Sequence, residues 1–203
     1  FASRIGAGAV FCDFDPLRAK TAWKSRVAES LACPLFEVDA HNIVPCWAAS
    51  QKAEYGAYTL RPKLARLLPH FLAEFPPLEK HPFPWEGKVP PIDLEGTLLR
   101  AAPSAAVPEV QSPAPGPSAG KRALAEFVAH RLENYGTIRN DPNRDGCSGL
   151  SPYLHFGQVS PQRVALEVSR ASVGEESRKA FLEELVVRRE LSDNFCLYNP
   201  AYD

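Results

Sequence analysis

The chain has 203 residues, 45% hydrophobic and 23% charged, a composition that excludes an intrinsically disordered protein. Its 23 Lys+Arg and 24 Asp+Glu give a net charge of −1, and the balance holds locally: residues 1–120 carry 12 basic and 12 acidic side chains, residues 121–203 carry 11 and 12. No basic excess marks a free-standing nucleic-acid binder, and no apolar run approaches the ~18 residues of a membrane span. In chain order, Ala7–Phe14 (AGAVFCDF) reads as a short apolar strand entering the turn Asp15-Pro16. Trp23, Val27 and Leu31 follow at i, i+4, i+8, a helical stripe that Pro34 stops. Leu35–Val38 resumes as a strand and runs into Asp39-Ala40-His41-Asn42. Strand, helix, strand is part of a doubly wound parallel sheet. Leu60, Leu64, Leu67, Leu68, Phe71 and Leu72 have helical spacing, with Pro69 expected to kink the helix or start a new one.

Eleven of the twenty prolines fall between Pro76 and Pro117, and Ala101–Gly120 is almost wholly Ala, Pro, Ser, Val and Gly. That stretch has little to bury, so it is expected to be an exposed, irregular linker between an α/β part (residues 1–100) and a helical part (residues 121–203). Beyond it the periodicity is helical. Leu124, Phe127, Val128, Leu132 and Tyr135 share one face. Ser151-Pro152 and Ser160-Pro161 each read as an N-cap followed by Pro at N1, the second opening a helix with Val164, Ala165 and Val168 inward. A long helix spans Ser177 to about Tyr198, its core face built from Phe181, Leu182, Leu185 and Val186.

The five cysteines (Cys12, Cys33, Cys46, Cys147, Cys196) are odd in number and widely spaced, which indicates reduced thiols of an intracellular protein rather than a disulfide framework or a zinc site. His41 and His155 lack nearby partners for a metal, and no metal site is expected. There is no Met, and the chain opens at Phe1 without a signal peptide, so it is expected to be a piece of a longer protein.

Three groups of residues could carry chemistry. Gly146-Cys147-Ser148-Gly149-Leu150-Ser151-Pro152 is either a capped turn between helices or a loop whose N–H groups cradle a phosphate. Glu184 and Arg188, at i, i+4, are either a solvated surface pair or a carboxylate aimed into a pocket. Arg139-Asn140-Asp141-Pro142-Asn143 is either an Asx-type turn or a ligand-reading loop.

Asp39–Trp47 (DAHNIVPCW), Glu54-Tyr55-Gly56-Ala57, Tyr135–Gly157 (YGTIRNDPNRDGCSGLSPYLHFG) and Phe181–Asp203 (FLEELVVRRELSDNFCLYNPAYD) closely resemble class II cyclobutane-pyrimidine-dimer photolyases, of the photolyase/cryptochrome family. The resemblance implies an α/β antenna domain, doubly wound and here incomplete, followed by the start of an all-α FAD-binding domain. It implies light-driven repair of pyrimidine dimers in UV-damaged DNA by an electron from reduced FAD, in a protein monomeric at full length, with an unidentified antenna chromophore. The protein would be nuclear in a eukaryote and cytoplasmic otherwise. Matched by motif, Tyr135, Cys147, Ser148, Gly149, Leu150 and Ser151 are implied FAD contacts. Glu184 is the implied catalytic carboxyl group at the dimer's carbonyl edge, with Arg139, Asn140 and Arg188 towards the lesion and DNA. A thiol at Cys147 donates weakly, where other classes place a threonine. The alternative is a cryptochrome-like flavin photoreceptor without repair activity. Taken alone, the chain is expected to be inactive, and Phe181, Leu185, Leu191 and Phe195 are expected to face water.

Overall fold

A single helical turn, α1 (Ala2–Ile5), leads into β1 (Val10–Asp13), helix α2 (Arg18–Ser30) and β2 (Leu35–Val38). The two strands pair in parallel, Val10 opposite Leu35 and Asp13 opposite Val38, so a crossover helix is obligatory between them. The computed structural model describes residues 1–83, 87, 91–101, 108 and 110–202. The expected α/β character is therefore present, as a two-stranded sheet in a mostly helical chain. The helix expected from Trp23, Val27 and Leu31 forms as α2, but it buries nothing, and Trp23 and Val27 are exposed. Its Ala, Lys, Arg and Glu content supports a helix by propensity, while among the described residues nothing covers the apolar stripe.

The helical turn α3 (Cys46–Ala49) precedes α4 (Ala57–Phe71), which buries Leu60 and Leu64. Of the two outcomes expected at Pro69, a kink or a new helix start, no new helix starts there: α4 runs through both Pro62 and Pro69. Pro69 lies in the last turn, where the ring removes one bond, to the Ala65 carbonyl, and little helix remains to disturb.

Residues Phe1–Glu74 and Gly116–Asp203 form one compact unit, and Phe75–Pro115 form a second. The second contains α5 (Leu94–Ala101), opened by Asp93, whose Oδ1 accepts the Gly96 N–H at 2.8 Å. The irregular stretch expected over Ala101–Gly120 is shorter than that. Ala101 ends α5, and Pro117 opens α6 (Pro117–His130); residues 102–107 and 109 lie outside the described residues. Pro at N1 suits a helix start. Gly120 then packs so closely on Val159 that a Cβ would come within 2.5 Å of its Cγ2.

A 3₁₀ turn (Leu132–Asn134) connects α6 to α7 (Tyr135–Ile138), followed by α8 (Ser151–His155), α9 (Pro161–Arg170) and α10 (Glu175–Leu182). In α9, Ser160 caps as expected, its Oγ accepting the Arg163 N–H at 3.1 Å, and Val164, Ala165 and Val168 are buried. Ser160→Ala is expected to lower stability by about 1 kcal/mol, read as a shift of the denaturation midpoint. In α8 the helix begins one residue earlier than the Ser-Pro signal suggests, with Leu150 at the N-cap and no side-chain cap.

The long helix expected from Ser177 begins at Glu175 and is not uniformly α. Residues Glu183–Arg188 wind as a π segment before α11 (Arg189–Tyr198). Phe181 and Leu185, expected to face water, are buried within this chain, whereas Phe195 is exposed and Leu191 half-buried. The core joins Leu60 and Leu64 of α4 to Leu124 and Phe127 of α6, Val164 and Val168 of α9, and Phe181, Leu185 and Val186.

Polar groups tie the residues after β2 to α11. Asn194, 1% exposed, accepts the Glu54 N–H at 2.8 Å and donates to the Lys52 carbonyl at 3.1 Å. Tyr198 donates to the Ser50 carbonyl at 2.7 Å, and Arg189 to the His41 carbonyl at 2.6 Å. Hydrogen bonds from Lys63 and Ser50 hold the Glu54 carboxyl down at about 2.

Candidate functional site: Tyr135, Arg139, Glu184 and the 146–151 loop

Tyr135 opens α7 and is buried because its ring meets Phe127 and Phe181 edge-on, at 5.8 Å and 5.2 Å between centroids. One turn later Arg139 ends the helix with its guanidinium 5.6 Å from the Tyr135 ring centre, a cation–π arrangement. Arg139 Nη1 also donates to Glu184 Oε1 at 2.6 Å. That bond holds the guanidinium more firmly charged, while burial raises the Tyr135 hydroxyl above its usual range. The cluster is thus a cation and a carboxylate, half-buried, standing over an aromatic floor.

Of the two readings open for Glu184 and Arg188, the i, i+4 pair does not form. Glu184 turns to Arg139, and Arg188 Nε instead lies 3.5 Å from Glu183 Oε1. The π segment is the reason: winding with i→i+5 bonds, it brings residue i+5 above residue i, so Arg188 stacks on Glu183 rather than Glu184. Glu183 is also gripped by Arg61 of α4, whose Nε and Nη2 reach its two carboxylate oxygens at 2.9 Å and 2.7 Å. Arg188 itself is exposed, as is Asn140. Asp141 forms the Asx-type turn that sequence allowed, accepting the Asn143 N–H at 3.0 Å.

The 146–151 loop approaches from the other side. Gly146 abuts Ile138, and a Cβ there would come 2.7 Å from the Ile138 carbonyl carbon. Gly149 has φ +69°, a left-handed conformation that glycine adopts without strain. Arg131 braces the loop, donating to Asp145 at 3.1 Å and to the Ser148 carbonyl at 3.4 Å. Leu150 is fully buried, its N–H goes to Ser148 Oγ and its carbonyl accepts from Leu154, so it anchors the loop. Cys147 is exposed, and its Sγ lies 3.8 Å from the Arg139 carbonyl. Among the described residues, the N–H groups of Cys147, Ser148, Gly149 and Ser151 meet no protein acceptor. Four uncommitted N–H groups on a bend ahead of a helix form a donor set matched to a phosphate-like anion. No group of His, Cys, Asp and Glu among the described residues could hold a metal ion.

The DNA photolyase family model matches residues 1–82. The whole chain aligns with the deoxyribodipyrimidine photo-lyase of Potorous tridactylus at 47% identity, covering 39% of that protein, and with that of Arabidopsis thaliana at 46%, covering 43%. The chain belongs to the DNA photolyase family. It spans about two fifths of the length of these curated relatives. Two solved structures share the fold of this photolyase chain: a class III photolyase from Agrobacterium tumefaciens (TM-score 0.62, 19% identity, 98% of this chain and 42% of that one) and a cryptochrome from Synechocystis (TM-score 0.67, 16% identity, 97% and 43%).

Sequence reasoning placed Tyr135, Arg139, Cys147 and Glu184 separately; the fold brings them together. It missed Arg61 and Glu190 altogether. Arg61 shows no local signal, since its partner is 122 residues away. Glu190 and Asn194 are the buried residues of α11, and no local pattern singles them out, because their partners are also far away in sequence.

Proposed function

We propose that the full-length protein carrying this chain is a class II photolyase that repairs cyclobutane pyrimidine dimers in UV-damaged DNA. The observation that carries this reading is the Arg139–Glu184 pair at 2.6 Å, beside a loop with uncommitted N–H donors. Reduced FAD, when bound, supplies the electron that light transfers to the dimer. Toward that cofactor the main-chain N–H groups of Cys147, Ser148, Gly149 and Ser151 hold the pyrophosphate, and Tyr135 walls the pocket. The family implies an antenna chromophore as well.

Toward the lesion, Arg139 and Glu184 work as one unit. Glu184 Oε1 fixes the guanidinium, and the remaining N–H groups of Arg139 meet the carbonyl edge of the extruded dimer. Extrusion costs a few kcal/mol, least where pairing is already damaged. Asn140 and Arg188, both exposed, lie where they can touch the nucleic acid.

Glu184→Gln keeps a neutral acceptor for Arg139, whereas Glu184→Ala leaves the guanidinium unheld. A hydrogen bond to a charged group contributes about 1.5–3 kcal/mol, so Glu184→Ala is expected to weaken binding of a dimer-containing oligonucleotide by roughly tenfold or more. Glu184→Gln should weaken it less, and both should retain FAD and the unfolding midpoint. The assay measures dimer content after illumination together with lesion affinity. Undiminished binding and repair in both variants would remove Glu184 from the site. Illumination that leaves dimers intact in the unmodified, flavin-loaded protein would favour the cryptochrome-like reading.

A further inference from the structure

We infer that Glu190 is the titrating group of a buried clasp between residues 39–46 and α11, fastened while Glu190 carries a proton and loosened when it loses it. Glu190 is 3% exposed. Its Oε1 accepts the N–H groups of Ile43 and Val44 at 2.8 Å and 3.3 Å, which stitches α11 to the segment after β2. Its other oxygen, Oε2, is buried with no donor.

The surroundings explain why a proton belongs there. From the 39–46 segment the facing groups are Asp39, His41 and Asn42, with Cys46 opening α3; from α11 they are Arg189 and Asp193. Asp39 is fully engaged, Oδ1 accepting from the His41 and Asn42 N–H groups (3.1 Å and 2.8 Å) and Oδ2 from Asn42 Nδ2 and the Cys46 N–H (3.0 Å and 2.9 Å). Three buried acceptors remain without donors: Glu190 Oε2, Asp193 Oδ2 and Asn42 Oδ1. His41 Nε2 stands 3.3 Å from Asp193 Oδ2, a charge contact only when the ring is protonated. Among the described residues named here, Arg189 supplies the one fixed positive charge; its Nη2 is committed to the His41 carbonyl, and its Nη1 is buried without a partner. Three carboxyl groups against one guanidinium leave an excess of negative charge around the buried Glu190 carboxyl, which is costly unless neutralised. A proton on Glu190 Oε2 removes one charge and turns one orphaned acceptor into a donor.

The electrostatics agree with this geometry. Burial pushes the Glu190 carboxyl up to about 7, against the opposing pull of its two backbone N–H bonds and Arg189. Cys46, pushed to about 12 by burial and the neighbouring carboxylates, keeps its proton throughout. The raised value fixes the sign. Folded Glu190 holds its proton up to about 7 and unfolded Glu190 only to its ordinary 4.5, so the contribution to stability is complete below 4.5 and is lost as pH rises to about 7.

The test uses the full-length protein. Hydrogen exchange at the Ile43 and Val44 amides, corrected for intrinsic rates, should show protection falling by up to about tenfold per pH unit across that window. Thermal unfolding should show the same trend. Glu190→Gln, which keeps the acceptor and adds a permanent donor, should flatten both profiles at the acidic-pH level of the unmodified protein. Protection at Ile43 and Val44 that does not vary with pH would overturn the proposal without any variant. So would a pH dependence that persists in Glu190→Gln and disappears in His41→Gln.

Discussion

Phe127→Ala is expected to lower the stability of the protein by about 3–5 kcal/mol, the range for deleting a fully buried aromatic side chain. Phe127 is 0% exposed and sits where α6, α7 and α10 meet. Its ring lies 4.8 Å from Phe181 and 5.8 Å from Tyr135, centroid to centroid. Removing it takes away the transfer energy of the ring and leaves a cavity that three separate helices would have to move together to fill. The same loss releases the floor beneath Arg139, so flavin retention in the full-length protein should fall along with the denaturation midpoint. Phe127→Leu, which refills part of the volume, should recover more than half of the stability. A Phe127→Ala midpoint within experimental scatter of the unmodified protein would show that the three rings are not the centre of this core.

Asn194→Leu is the second large effect expected, and its cause is different. The substitution keeps the branching and the number of heavy atoms and adds apolar surface at a position 1% exposed, so a purely hydrophobic account predicts a neutral or stabilising change. The hydrogen bonds predict the reverse. Asn194 is the partner of the Glu54 N–H and of the Lys52 carbonyl, and leucine leaves both main-chain groups without one. Each buried group left unpaired costs about 1–3 kcal/mol. Thermal unfolding should therefore show a loss comparable to that of Phe127→Ala. Hydrogen exchange should locate it at residues 50–54, where Tyr198 and Asn194 hold the chain against α11. A stable Asn194→Leu variant with unchanged protection at Glu54 would show that water replaces the amide there.

These two positions mark the limit of what the sequence alone made legible. Phe127 is visible from its spacing with Leu124 and Leu132, because a helix places i, i+3 and i+4 residues on one face whatever the rest of the chain does. Asn194 is not, because its partners lie 140 and 142 residues away. The candidate site divides the same way. Motifs singled out Tyr135, Arg139, the 146–151 loop and Glu184 one at a time. That Arg139 rather than Arg188 holds Glu184 depends on the π segment and on a pairing across 45 residues. That Leu150 anchors its loop depends on a core assembled from several helices.

Local signals by themselves determined the two strands, the Ser160 cap, and the helical faces of Leu60 with Leu64 and of Val164 with Val168. Each rests on dihedral preferences and neighbours within one turn or one strand. Tertiary structure alone decided the exposure of Trp23 and Val27, the helix start at Pro117, the burial of Phe181 and the surroundings of Glu190. An apolar or charged side chain specifies only that it needs a partner. Which partner it meets is settled by loop closure over tens of residues, and that information lies in the packed core rather than in any segment.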